Sequence, residues 1–128
     1  MTDTATTTPA TVELVDTYFA MWREADPAAR RPLIEAAFTP DGRHVDALAD
    51  AHGHDELDAM IANVHAHYPG FRMERTSGID QHGDQLRFGW TLDAADGTRV
   101  VTGVDIGELA ADGRLARVAG FWGDLPDR

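Results

Sequence analysis

The order of local signals predicts an α+β fold in which a strongly bent sheet wraps around the helices that precede it. Three observations carry this prediction. Apolar residues recur at helical spacing in the N-terminal half; from residue 71 onward the pattern alternates with period two; and three X-Gly pairs cut that stretch where tight hairpins turn, at His82-Gly83, Asp96-Gly97 and Asp112-Gly113. At 128 residues the chain has the length of one domain, able to bury about two-thirds of its unfolded surface around a single core or pocket. The Thr-rich residues 1–8 are expected to form a frayed tail, and residues 9–128 the domain.

Pro9, following Thr8, suits the first position of a helix, and Val12, Val15, Phe19 and Trp22, with Leu14, Tyr18 and Met21 beside them, give residues 9 to 25 a broad apolar face. Asp26-Pro27 reads as the cap and first position of a second helix, with Leu33, Ile34, Ala37 and Phe38 facing inward. Pro32 is expected to break or restart that helix, and the turn TPDG, 39 to 42, to end it. In the short strand from 43 to 48, His44, Asp46 and Leu48 share one side and Val45 and Ala47 the other. A third helix starts at His54-Asp55, presents Leu57, Met60, Ile61 and Val64, and stops at Pro69-Gly70. Four antiparallel strands, roughly 71 to 80, 84 to 93, 98 to 109 and 114 to 122, complete an ααβαββββ order.

Composition removes several function classes. A net charge of −11, with every basic residue an arginine and the arginines scattered, repels phosphate backbones, so no nucleic-acid partner is expected. No apolar run approaches the roughly 20 residues of a membrane span, and the N-terminus lacks the basic and apolar segments of a signal peptide. The expected compartment is the cytoplasm. Without cysteine there are no disulfides and no thiolate chemistry.

The residue that asks for a chemical explanation is Asp105, set between Val104 and Ile106 in an apolar strand. Period two places Val101, Gly103 and Asp105 on one face, and Leu86, Phe88, Trp90 and Leu92 on one face of the preceding strand. If both faces look inward, the carboxyl enters a Trp-lined cavity, keeps its proton above its ordinary pKa of about 3.9, and can donate a hydrogen bond. The alternative is that it faces solvent or pairs with an arginine such as Arg117.

The histidines of HGH, 52 to 54, and HAH, 65 to 67, look like chelating pairs, but residues two apart do not face each other on a helix, and no metal is expected. His44 or His65 can reach the cavity as an acid or base, because imidazole titrates near neutral pH. Arg87 lies opposite Phe88 and Trp90, which suits an outer-face ion pair.

Taken together, VDTYFAMWREAD on the first helix, PDGRHVDALADAHGHDELDAMI across strand and helix, and VDIGELAADGRLARVAGFW at the end resemble the nuclear transport factor two-like superfamily, in its SnoaL-like and ketosteroid isomerase branches, over residues 12 to 122. The resemblance implies a cystatin-like cone, a curved antiparallel sheet around three N-terminal helices. It also implies roles: Asp46 as general base, and Tyr18 with a protonated Asp105 as the oxyanion hole. Trp22, His44, Met60, Val64, Phe88, Trp90, Val101 and Trp122 are expected to line the substrate cavity. Ala47 stands where the family usually has proline after the base, and His44 adds a titratable group beside Asp46.

The function expected is cofactor-free proton transfer, an enolisation, isomerisation or cyclisation, on a small hydrophobic carbonyl compound. A base within reach of the α-proton and two placed O–H donors suffice for it. The alternatives are a dimeric binding module for an apolar ligand, an enzyme related to epoxide hydrolases, and an assembly role for the outer sheet face. A homodimer through that face, with Val100, Thr102, Val104 and Ile106 as its apolar residues, is expected. A drug-sized substrate needs a pocket of about 300 Å³ or more.

Overall fold

The computed structural model describes residues 7–128; of the expected tail, residues 1–6 lie outside it. Three helices, α1 (Pro9–Arg23), α2 (Pro27–Ala37) and α3 (Gly53–His67), combine with seven strands: β1 (Phe38–Val45), β2 (Asp50–His52), β3 (Arg72–Arg75), β4 (Asp80–His82), β5 (Gln85–Asp93), β6 (Arg99–Leu109) and β7 (Leu115–Trp122). They form one open sheet in the order β2-β1-β7-β6-β5-β3, with β4 also on β5. The α+β class, the three helices and the curved sheet are as the sequence predicts.

Helix starts follow the capping residues. The Thr8 hydroxyl accepts from the Thr11 N–H at 3.1 Å and the Asp26 carboxylate from the Ala28 N–H at 3.3 Å, each just before a proline at the first helical position. Pro32, however, does not break α2, which runs through it to Ala37. A single lost backbone bond is outweighed by tertiary anchoring, since Ile34 and Ala37 are fully buried and Arg30 is the largest fully buried side chain. The Arg30 guanidinium donates to Asp58 of α3 at 2.8 Å and to the Glu24 carbonyl at 2.8 Å, locking the end of α1 to both other helices.

The sheet departs from the expected all-antiparallel form in one pairing: β1 runs parallel to β7, so the sheet is mixed. TPDG is not a turn before the strand but part of β1, absorbed as an irregularity between Phe38 and Arg43. The strand ends at Val45, one residue before Asp46, and residues 46 to 49 turn into β2. The expected strand at 71 to 80 is two strands, β3 and β4, parted where Thr76 N–H donates to the Gly89 carbonyl and Gly89 N–H to the Ser77 hydroxyl. That break lets β5 bend around the helices. At the three predicted hairpins Gly83, Gly97 and Gly113 all take positive φ, which L side chains resist.

Gly103 and Gly120 leave the inner face of β6 and β7 bare, and the side chains of their neighbours occupy that space. A Cβ on Gly103 would lie 2.6 Å from the Trp90 ring, and one on Gly120 would lie 2.8 Å from Asp105 Oδ1. Trp90 and Asp105 therefore lie flat on a glycine floor, opposite α1 and α3.

Candidate functional site

Between that floor and the helices is an apolar cavity of about 160 Å³. The α1 helix contributes Tyr18 and Trp22, α3 contributes Met60 and Val64, β1 and the turn after it His44 and Asp46, and β5 to β7 Trp90, Val101, Asp105 and Trp122. All but one of the residues expected at the site thus line it. The exception is Phe88, which lies behind Tyr18 and packs on Tyr18 and Phe19 with centroids 5.8 and 5.4 Å apart. Phe88 pairs with Asp105 across β5 and β6, and its ring fills the core from which Tyr18 rises.

Asp105 is buried, 4% exposed, and does not pair with Arg117, whose partner is Glu108. Its Oδ2 accepts from the Tyr18 hydroxyl at 2.7 Å and its Oδ1 from the Trp90 indole N–H at 2.9 Å. Burial pushes its acid constant toward retention of the proton, while the nearby His44 and the two donors pull the other way without prevailing. Burial and the neighbouring carboxyl together push the Tyr18 phenol well above its ordinary value, so it stays a donor.

Asp46 sits in the opposite situation. Partial burial raises it, but this is outweighed by His44 and by two backbone N–H groups, and its carboxyl is held below the usual range. Oδ1 accepts from the Leu48 and Ala49 N–H groups at 2.9 and 3.0 Å, and Oδ2 faces His44 Nε2 at 3.0 Å. The turn that ends β1 is itself the anion's holder, which is why Asp46 lies just outside the strand. His44 is buried, stands edge-on to Trp22 at 5.5 Å, and leaves its Nδ1 without a hydrogen-bond partner among the described residues; so does Trp22 at Nε1.

His65 does not reach the cavity. Its Nε2 hydrogen-bonds the Trp22 carbonyl at 2.8 Å, its ring lies tilted against Phe71 with centroids 4.5 Å apart, and burial lowers its affinity for a proton. The other histidines have separate partners: His52 with Asp50, His54 with the Phe38 carbonyl, His67 with the Asn63 carbonyl and His82 with Asp80. Among the described residues no three His, Asp or Glu side chains group as metal ligands. Arg87 forms its outer-face pair with Asp80 at 2.9 Å.

Several lining residues escape the sequence reading: Leu48, Ala49, Asn63, Tyr68, Met73, Leu92 and Val100. Leu92 shares the period-two face of Trp90, a signal that was available. Val100 was expected on the outer face, but the pairing of β5 with β6 slips between Leu92 and Asp93, and the slip turns Val100 inward.

An open curved sheet closed by three helices over an apolar cavity with polar groups along its floor defines the class, a small cystatin-like α+β chamber protein. The chain belongs to the SnoaL-like domain family, whose pattern matches residues 15–118, within the nuclear transport factor two-like superfamily. It is similar over 91% of its length, and 100% of the other chain, to a proposed isomerase of the SnoaL-like family from Agrobacterium tumefaciens str. C58, at 33% identity and a TM-score of 0.85. A proposed SnoaL-like polyketide cyclase from Jannaschia sp. CCS1 shares the fold at 19% identity and a TM-score of 0.69, covering 91% of this chain and 90% of its own. So does a protein of unknown function with a cystatin-like fold from Methylobium petroleophilum PM1, at 18% identity and 0.76, covering 97% and 82%. No curated protein matches the sequence.

Proposed function

We propose that the cavity carries out cofactor-free proton transfer, an enolisation, isomerisation or cyclisation, on a small hydrophobic carbonyl compound. The observation that carries this reading is the pair of carboxyls in one apolar cavity, Asp46 held as the anion and Asp105 pushed toward the neutral acid. Groups driven apart in this way divide into a proton-accepting and a proton-donating pole. Asp46 with His44 forms the first, and Tyr18 with Asp105 and Trp90 the second, which faces the carbonyl oxygen as it gains charge.

The cavity sets the substrate's size. Its 160 Å³ is close to the roughly 150 Å³ that admits a benzene ring and below the roughly 300 Å³ of a drug-sized site, so the enclosed part of the substrate is a single ring. Incubation with a single-ring β,γ-unsaturated ketone in heavy water tests this. The protein is expected to deuterate the α-carbon above the buffer rate and Asp46→Asn to lose most of that activity; exchange equal to buffer contradicts the proposal.

One observation favours a second reading, a binding module without turnover: all four carboxylate oxygens of Asp46 and Asp105 already have hydrogen-bond partners. Tight binding of an apolar ketone with no exchange is its signature. The epoxide hydrolase reading gains no support, since among the described residues no arginine lines the cavity. For partners and location, the proposal is a cytoplasmic homodimer joined through the outer sheet face; among the described residues no helix is long and apolar enough to cross a membrane.

A further inference from the structure

A residue that lines the cavity and is also exposed marks where the cavity opens. Tyr18, Trp22, Met60 and Trp90 are buried and line its closed part. Leu48 on the turn after β1, Tyr68 at the end of α3 and Trp122 at the end of β7 line it too, yet are 81%, 41% and 36% exposed, and they form the mouth. Of the seven large apolar side chains left exposed among the described residues, three therefore stand at one opening, brought there from three separate places in the chain. Exposed apolar residues scattered singly are ordinary, but a group gathered around a cavity mouth has the character of a ligand-binding rim.

The volume decides what lies on that rim. At about 160 Å³ the cavity encloses one ring, so a substituent on that ring, on the side away from Tyr18 and Asp105, leaves through the mouth. We propose that Leu48, Tyr68 and Trp122 form a subsite for an uncharged apolar extension of the substrate, a short alkyl chain or a second ring, and that Leu48 is its specificity-determining residue. The inference rests on the reading of the cavity above and adds the part of the substrate that the cavity cannot hold. An extension that carries a negative charge finds no partner, because among the described residues no arginine lines the cavity, and Asn63, which shares the exposed rim, is neutral.

Leu48 ties the rim to the chemistry inside. Its backbone N–H donates to Asp46 Oδ1 at 2.9 Å while its side chain stands in solvent, so an extension that covers the side chain also covers the turn that holds the anion. Water leaves the mouth as the extension settles, and the polar groups within act more strongly on the enclosed ring. The fold itself makes little use of the Leu48 side chain, which is why its removal tests binding rather than folding.

The deciding comparison uses two ketones that need not react. Cyclohexanone and 4-butylcyclohexanone are titrated into the wild-type protein, into Leu48→Ala, and into Leu125→Ala, which removes an exposed leucine outside the cavity wall. The butyl chain is expected to tighten binding by about 10-fold in the wild type and in Leu125→Ala, and by no more than about 3-fold in Leu48→Ala, with cyclohexanone itself bound equally by all three. No gain in the wild type, or the full gain retained in Leu48→Ala, overturns the subsite. So does a Leu48 methyl NMR signal that moves with protein concentration in the absence of ketone, which assigns the rim to a second copy of the chain. No turnover enters the comparison: a subsite that fails leaves the proton-transfer reading standing, and wild-type α-exchange at the buffer rate removes that reading while a measured binding difference stands.

Discussion

Asp46 and Asp105 are the same residue type in the wall of one cavity, and what separates them is what surrounds each oxygen. Asp46 is met by two backbone N–H groups and an imidazole; Asp105 is 4% exposed and has only neutral donors in contact. The signs of their contributions to stability are therefore opposite. Asp46, lowered in the folded state, contributes stability that is present above its unfolded value of about 3.9 and lost as pH falls through the folded one. Asp105, raised on folding, contributes stability that is present below that unfolded value and lost as pH rises through the folded one. Urea unfolding from about pH 3 to about pH 8 checks this: the deficit of Asp46→Asn relative to wild type is expected to shrink toward acid, and that of Asp105→Asn to shrink toward neutral pH. Parallel profiles would show that the cavity does not distinguish the two carboxyls. Sequence alternation was enough to put Asp105 on the face of Gly103, and the family resemblance to single out Asp46. Which oxygen meets which donor was not legible, because that depends on a turn geometry and on a cross-strand neighbour.

At the scale of elements, β6 and β7 matter for what they leave out. Gly103 makes room for the Trp90 ring and Gly120 for the Asp105 carboxyl. Gly103→Ala is expected to cost about 1 to 3 kcal/mol, because its Cβ would meet the Phe121 carbonyl at 2.5 Å and the Trp90 ring at 2.6 Å. It should also shift the tryptophan fluorescence as Trp90 leaves Asp105. Gly113→Ala, at positive φ but with open space around it, serves as the control and should leave the fluorescence unchanged. An unshifted spectrum in Gly103→Ala would mean that the floor does not hold Trp90. Most elements were legible locally, from caps, stripes and X-Gly turns. The parallel pairing of β1 with β7, the split of β3 from β4, and the slip that turns Val100 inward were not, since each is set by a partner far away in sequence. Pro32 is the same lesson in reverse, a strong local signal overridden by the anchoring of Arg30 and Ile34.

For the whole molecule, the helices cover one face of the sheet and leave the other exposed. On that outer face Val104 and Phe121 are 42% and 61% exposed, and they pair directly across β6 and β7 beside Ile106 and Ala119. The proposed dimer would cover this uncharged stripe in a chain whose net charge of −11 otherwise favours separation. Light scattering after size exclusion is expected to give the mass of two chains, and Phe121→Arg the mass of one; a wild-type monomer rules the dimer out. Residues that line the cavity arrive from α1, from α3 and its C-cap, and from both halves of the sheet, so the chamber exists only once the fold is complete. Its chemistry is most directly tested by proton NMR of a single-ring β,γ-unsaturated ketone in heavy water. Deuterium entering the α-carbon faster than in buffer, and much more slowly with Asp46→Asn, is the predicted result; a ketone that binds yet exchanges no faster than in buffer would contradict proton transfer in this chamber.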